Sequence, residues 1–164
     1  MLQLPAPNNK KTFIISRQSV NDISALIVRG IRESLPHAKK TIGTFKGRTQ
    51  KETAENLWQY LKDNVRYEAE PNSTQSVKTL PKIYHDRNKG NDCKHFTTFI
   101  ASYLLAAGIP VKLRLVSFKI FDKTPSHIYP VAIIAGKDVP VDAVINTFNK
   151  NPNGVTFYKD IKLK

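Results

Sequence analysis

The sequence predicts an α+β domain in which N-terminal helices pack on an antiparallel β-sheet, and two observations carry that reading. Apolar residues recur at three and four positions in three stretches before Gly108, whereas from Val111 onward the apolar runs are rich in β-branched and aromatic residues with interleaved charges. Gly136-Lys137 lies between the last two of these runs and can form a two-residue hairpin turn with glycine first, so the strands are expected to run antiparallel. A chain of 164 residues suits one domain. The expected division is a basic arm and helix over residues 1–48 and the main domain over residues 49–164, together one compact unit.

Each element has its own local warrant. "MLQLPAPNNKK" has two prolines, two asparagines and no periodicity, and reads as an extended arm. Ser19 with Asp22 three residues on resembles a capping box. Val20, Ile23, Leu26, Ile27 and Ile31 then fall on one helical face, and Pro36 is expected to end that helix near Leu35. "HAKKTIGTFKGR" follows as a basic loop. Thr49 and Glu52 form a second capping pair, and Ala54, Leu57, Trp58, Leu61 and Val65 predict a helix over residues 50–65. The stretch from Tyr67 to Gly90, broken by Pro71 and Pro81, is expected to be mostly loop, with one helical turn near Lys82–His85. Phe96, Phe99, Ile100, Tyr103, Leu104 and Ala107 predict a helix that starts at Cys93, with Gly108 as its C-cap and Pro110 as its stop. "VKLRLVSFKIF", "HIYPVAII" and "VPVDAVI" are expected as strands, and the tail holds one short edge strand.

Charge and composition narrow the function. Lys and Arg number 26 against 13 Asp and Glu, and residues 1–51 hold ten basic residues against only Asp22 and Glu33, so eight of the thirteen net charges lie there. Such a field attracts an acidic protein or nucleic-acid surface, with Arg29, Arg32, Lys39, Lys40, Lys46 and Arg48 as its candidate contacts. Aromatic residues are sparse among them, so contact with a polyanion backbone is expected rather than base stacking. No apolar run approaches the ~20 residues of a membrane span and the N-terminus lacks a secretory h-region, so no membrane and a cytoplasmic location are expected. A lone cysteine makes no internal disulfide and fits a reducing compartment.

Cys93 begins a helix, where unpaired N–H groups and the positive end of the helix dipole favour a thiolate. By itself the same residue is equally a small buried hydrophobe. A thiol nucleophile needs a base, and the base an orienting carboxylate or amide. His127 opens one strand and Asp142 lies on the next. With Ala135 and Asp138 flanking the turn, Asp142 falls opposite Val131, four residues from His127, so an irregularity near Pro130 is expected to close the gap. One cysteine and scattered histidines (His37, His85, His95, His127) match no common zinc spacing, so neither metal nor cofactor is expected, and His37, His85 and His95 are taken as surface or partly buried.

The ordered set "GNDC", a long helix ending in "AAGIP", a strand, a strand opening with histidine and then "VPVDAV" resembles the transglutaminase-like superfamily of papain-like cysteine enzymes. The upstream "NLWQYLKDNVRYEAEP" resembles that family's Trp-containing helix, and the likeness covers about Thr49 to Phe148. It implies a papain-like fold with the nucleophile at the N-terminus of the central helix: Cys93 as nucleophile, His127 as general base and acid, and Asp142 orienting the imidazole. The implied reaction attacks an amide or peptide bond of a protein or peptide substrate through a thioacyl-enzyme. The Cys93 N–H and a side chain, Gln75 or Asn91, are the candidate oxyanion donors. "HIYP" replaces the usual small and aromatic residues after the histidine, and "GND" lengthens the usual Gly-Asp turn. The rival expectation is a non-catalytic transglutaminase-like binding module that uses its basic N-terminal region within a larger phage or nucleoprotein assembly.

Overall fold

The computed structural model describes residues 9–15, 19–71 and 74–163. The first eight residues of the expected N-terminal arm lie outside that range. In chain order the elements are β1 (Thr12–Ile15), α1 (Val20–Thr41), α2 (Gln50–Asn64), β2 (Gln75–Lys78), α3 (Leu80–His85), α4 (Cys93–Ala106), β3 (Val111–Ser117), β4 (His127–Ile134), β5 (Lys137–Pro140) and β6 (Phe157–Lys162), with a single 3₁₀ turn at Ile42–Thr44. The fold is α+β: helices pack on an antiparallel sheet of order β5-β4-β3-β6, and β1 and β2 form a separate two-stranded ribbon.

Helix α4 is the central element. Its apolar positions predicted one broad buried face, yet every residue from Lys94 to Leu104 is buried, because α1, α2, α3 and the sheet enclose it. Phe45, Tyr60, Phe99 and Tyr103 meet ring to ring with centroids 4.7–6.0 Å apart. Each fully buried Leu, such as Leu57, Leu61 or Leu104, contributes roughly 1.5–3 kcal/mol relative to exposure. Gly108, at φ 72°, lets the chain turn off the helix, and the N–H groups of Gly108 and Ile109 return to Leu105 and Leu104.

Helix α1 does not stop at Leu35. It runs through Pro36 to Thr41, so the basic loop expected from His37 begins only after that point. Proline removes one helical hydrogen bond, worth up to about 3 kcal/mol. Here its ring lies on the exposed face, while Ser34, Ala38 and Thr41 on the opposite side are buried and hold the helix on course. Ser34 Oγ donates to the Gly30 carbonyl and accepts the Leu80 N–H at 2.9 Å; Thr41 Oγ1 meets Tyr103 Oη at 2.9 Å. Gly30 is needed for that approach, since a Cβ there would come within 2.9 Å of Val77.

The stretch between Tyr67 and Gly90, expected as loop with one helical turn near Lys82–His85, holds that turn as α3 and also the strand β2. β2 pairs antiparallel with β1, Thr12 opposite Lys78 and Ile15 opposite Gln75. The hairpin joining β4 and β5 also differs from expectation. Ile134 pairs with Lys137, so the loop is Ala135-Gly136, both at positive φ (50° and 72°), a mirror-type turn rather than a glycine-first one. That register shifts the pairing by two residues. Val141 N–H reaches the Pro130 carbonyl, so Asp142 follows opposite Tyr129, diagonal to His127 on the same face. No irregularity at Pro130 is needed: Pro130 sits in register opposite Leu113.

Candidate active site

Cys93 is the first residue of α4, partly exposed at the end of an otherwise buried helix. The turn before it is built by Asp92, whose carboxylate accepts the Lys94 N–H at 3.0 Å, while His95 Nδ1 accepts the Asp92 N–H at 3.1 Å. One turn further on, Thr97 Oγ1 donates to the Ile128 carbonyl at 3.1 Å, tying α4 to β4 beside His127.

His127 joins the other two predicted residues. Its Nε2 lies 2.7 Å from Asp142 Oδ2, and Cys93 is near enough to the ring to act on its charge, which leaves Nδ1 as the edge available to the thiol. Burial pulls the imidazole's pKa down, but the hydrogen bonds and negative charges of Asp142 and Cys93 outweigh it and push the value up to about 10. The ring is therefore an imidazolium at neutral pH. Asp142 is 2% exposed and held on three sides: Oδ1 accepts the Val144 N–H at 3.0 Å, its carbonyl accepts Trp58 Nε1–H at 2.9 Å, and Oδ2 takes the imidazole. The structure thus brings Cys93, His127 and Asp142 into one row, with His127 bonded to Asp142 and lining the same cleft as Cys93. Trp58 had appeared in the sequence as part of an apolar stripe and of the family-like Trp-containing helix, and nothing in its spacing pointed to Asp142.

The row opens on a cleft of about 390 Å³. Val20, Ile23, Leu115 and Ile128 give it an apolar wall; Glu70, Gln75 and Tyr67 line it near Cys93. Gln75 is at the cleft, its Nε2 donating to the Pro71 carbonyl at 3.0 Å. Asn91 is not available there: it is fully buried, both amide hydrogens go to the carbonyls of Asp86 and Lys89, and Oδ1 accepts from Lys78. Its side chain ties the turn before Cys93 together and has no N–H left for an oxyanion. Burial, then the nearby charge of Cys93, push the Tyr67 phenol up to about 12, so it remains a donor.

Behind Cys93 lies a closed ring of polar groups invisible in the sequence. His95 Nδ1 takes the Asp92 N–H, so Nε2 carries the hydrogen and faces Ser76 Oγ at 3.3 Å. Ser76 Oγ bonds Glu70, Glu70 Oε2 lies 3.4 Å from the Lys94 ammonium, and Lys94 returns to Asp92. His95 is wholly buried rather than superficial. Burial, followed by the charge of Lys78, lowers its pKa to about 3 and keeps it neutral. Among the described residues Glu70, Asp92 and His95 form the one group with metal-ligand donors within 4.8 Å of one another. The Lys94 ammonium is the cation those carboxylates already hold.

The basic residues singled out in the N-terminal region are all exposed. Arg29, Arg32, Lys39 and Lys40 fall within about 100° of the α1 circumference, opposite its buried face. Arg29 is paired with Glu33, and Arg48 with Glu52. Arg32, Lys39, Lys40 and Lys46 have no carboxylate partner among the described residues. Also among these residues, no helix is long and apolar enough to cross a membrane.

Comparison with known proteins agrees with this architecture. The pattern that defines the transglutaminase-like superfamily matches residues 38–143. A candidate cysteine protease from Cytophaga hutchinsonii superposes over 88% of this chain and 52% of its own, with a TM-score of 0.50 at 17% identity. A candidate protease from Parabacteroides distasonis superposes over 87% of this chain and 30% of its own, with a TM-score of 0.56 at 15% identity. The chain thus spans about half or less of these larger proteins and shares their fold. The comparison with curated proteins gives no match.

Proposed function

Because the chain belongs to the transglutaminase-like superfamily, we propose that it is a cysteine-dependent amide or peptide-bond hydrolase or acyltransferase that works through a thioacyl group on Cys93. The observation that carries this reading is that Cys93 and His127 line one cleft, with His127 hydrogen-bonded to the buried Asp142.

The raised pKa of His127 favours a thiolate–imidazolium pair as the resting state. The Cys93 sulfur attacks the substrate carbonyl carbon and a C–S bond forms. The developing oxyanion faces the Cys93 N–H, which has no intrahelical partner at the first helical position, and the Gln75 amide or the Tyr67 hydroxyl. Nδ1–H of His127 passes its proton to the amide nitrogen as the C–N bond breaks and the amine departs. The now neutral imidazole takes a proton from water, hydroxide adds to the thioester carbonyl, and the C–S bond breaks to restore thiolate and imidazolium. Asp142, by accepting from Nε2, fixes the tautomer that keeps Nδ1 toward sulfur. Water is the acceptor we assign, since no residue of the cleft selects an amine over it.

Alkylation by iodoacetamide tests the reading. Cys93 should react near neutral pH well above the rate of a free peptide cysteine, and His127→Ala should bring it down to that rate. Sluggish labelling of the wild type would remove the proposal. A second reading rests on the exposed face of α1, where Arg32, Lys39 and Lys40 lie unpaired by carboxylates: the same protein binds a polyanion or acidic protein surface within a larger assembly. Binding to a DNA duplex that weakens with salt and with charge reversal on α1 supports it; no binding at low salt refutes it.

A further inference from the structure

The cleft does not end at Cys93. It adjoins a second cavity of about 220 Å³, and the two share Val20, Ser24, Leu115 and Pro125 in their walls. We propose that this annex is a specificity subsite for the peptide substrate, taking an apolar residue together with an adjacent Asp or Glu side chain. The inference rests on the reading of Cys93 as a thiol nucleophile.

Three features carry it. The first is the floor. β6 pairs with β3 so that Phe157, Lys159 and Ile161 stand opposite Ser117, Leu115 and Leu113, and strand alternation puts all six on one face of the sheet. Leu115, Phe157 and Ile161 give the annex an apolar base, over which the first turn of α1 closes with Val20.

The second is charge. Among the described residues, Lys159 and Lys123 are the only charged ones lining the annex, and both are exposed. Of the other lysines near the sheet, Lys112 is paired with Asp138 and Asp160 and Lys119 with Asp122, whereas Lys137 and Lys162 at the strand ends have no ion pair among the described residues. Neither annex lysine has a carboxylate within ion-pair distance among the described residues; Lys123 Nζ lies 5.6 Å from the Phe157 ring centroid. An inward lysine on an edge strand also discourages strand pairing with another chain. Edge protection does not call for a second lysine, on a separate loop, converging on the same cavity.

The third is polarity along the groove. Glu70 and Asp92 line the cleft but not the annex and flank the one ammonium of Lys94, an arrangement that repels a carboxylate. An acidic side chain is therefore steered to the Lys123–Lys159 end. The donors there are ammoniums on long stems rather than fixed backbone N–H groups, which fits a side chain reaching in from solvent better than a chain terminus.

The test uses two series of short peptides, one N-chloroacetylated and amidated at the C-terminus, the other N-acetylated with a chloromethyl ketone as its C-terminus, which extend from Cys93 in the two chain directions. Each series holds a Val-Glu, a Val-Gln or a Val-Lys pair, and each labelling rate is divided by the iodoacetamide rate of the same protein. In at least one direction the Glu peptide should label about five-fold faster than the Gln peptide at low salt, as expected for two exposed charge pairs. The advantage should shrink with added salt and vanish in Lys123→Glu/Lys159→Glu. Equal rates for Glu and Gln in both directions overturn the proposal, as does an advantage that survives in the double variant. A preference that appears only when the peptide ends in a free carboxylate overturns the assignment to a side chain. Should iodoacetamide react with Cys93 no faster than with a peptide thiol, the nucleophile reading fails separately. The annex is then read from fluorescence anisotropy of labelled peptides without a warhead: a Glu preference lost in the double variant supports it, and equal binding refutes it.

Discussion

Replacing Asp142 by Asn removes one charge and little else. The amide oxygen can still accept the Val144 N–H, and the bond from Trp58 goes to the backbone carbonyl, so the loop keeps its anchors. What changes is the partner of His127. An amide N–H pointing at Nε2 needs that nitrogen as an acceptor, which moves the ring hydrogen to Nδ1 in the neutral form and removes the site that should take a proton from sulfur or water. The imidazolium also loses a hydrogen bond and a negative charge at 2.7 Å, two of the four influences that hold its pKa near 10 against burial. With burial then dominant, the imidazole is mainly neutral at pH 7. Without the imidazolium to hold the thiolate, alkylation should slow by about ten- to thirty-fold. Turnover on any amide substrate should fall further, toward the ~10⁴-fold seen when the orienting carboxylate of such a triad becomes an amide. The assay is the rate of iodoacetamide labelling of Cys93 from pH 5 to 10.5, followed by intact mass. The reasoning is refuted if the Asn variant gives the wild-type rate and the wild-type pH profile.

Other consequences are as direct. Because the folded pKa of His127 is raised, its contribution to stability is fully present below the ordinary value near 6.5 and is lost as pH climbs toward about 10. The wild-type Tm should thus fall more steeply than that of His127→Gln across that window, as scanning calorimetry can measure. Lys94→Met leaves the carboxylates of Asp92 and Glu70 without their shared cation and should cost about 3–5 kcal/mol in urea unfolding; a cost below 1 kcal/mol would mean the ring carries no strain of charge. Pro36→Ala restores a helical hydrogen bond on an exposed face and should stabilise the protein by about 1–3 kcal/mol. Arg32→Glu with Lys39→Glu and Lys40→Glu should abolish binding to a DNA duplex at low salt while leaving Cys93 labelling at its wild-type rate.

Most of the scaffold was legible because its signals are local. Thr49 capping α2, the apolar spacing of α4 and Gly108 at its end each act within a few residues, and β4 begins at His127 and ends at Ile134 as its composition indicates. The misreadings are those where distant contacts decide. Pro36 would end an isolated helix; buried Ala38 and Thr41 keep α1 going. β1 and β2 are four residues each and exist because they pair across sixty or more positions. The register of the β4–β5 hairpin turns on Ala135 at positive φ, a conformation that residue preference assigns to glycine. Cys93, His127 and Asp142 could be singled out together because their chemistry is specific to type. Glu70, Ser76, Lys94 and Trp58 could not, since polar loop residues and an apolar stripe carry no sign of the partners the fold gives them.

The central claim is that Cys93 carries an acyl group with His127 as its proton partner. Mixing the protein with an activated acyl ester such as p-nitrophenyl acetate, quenching in acid and mapping peptides by mass tests it most directly. The account predicts one acyl adduct on the peptide bearing Cys93, formed within seconds and discharged to water by the wild type, and formed far more slowly by His127→Gln. An adduct spread over lysines, or one on Cys93 that forms and decays equally fast without His127, contradicts it.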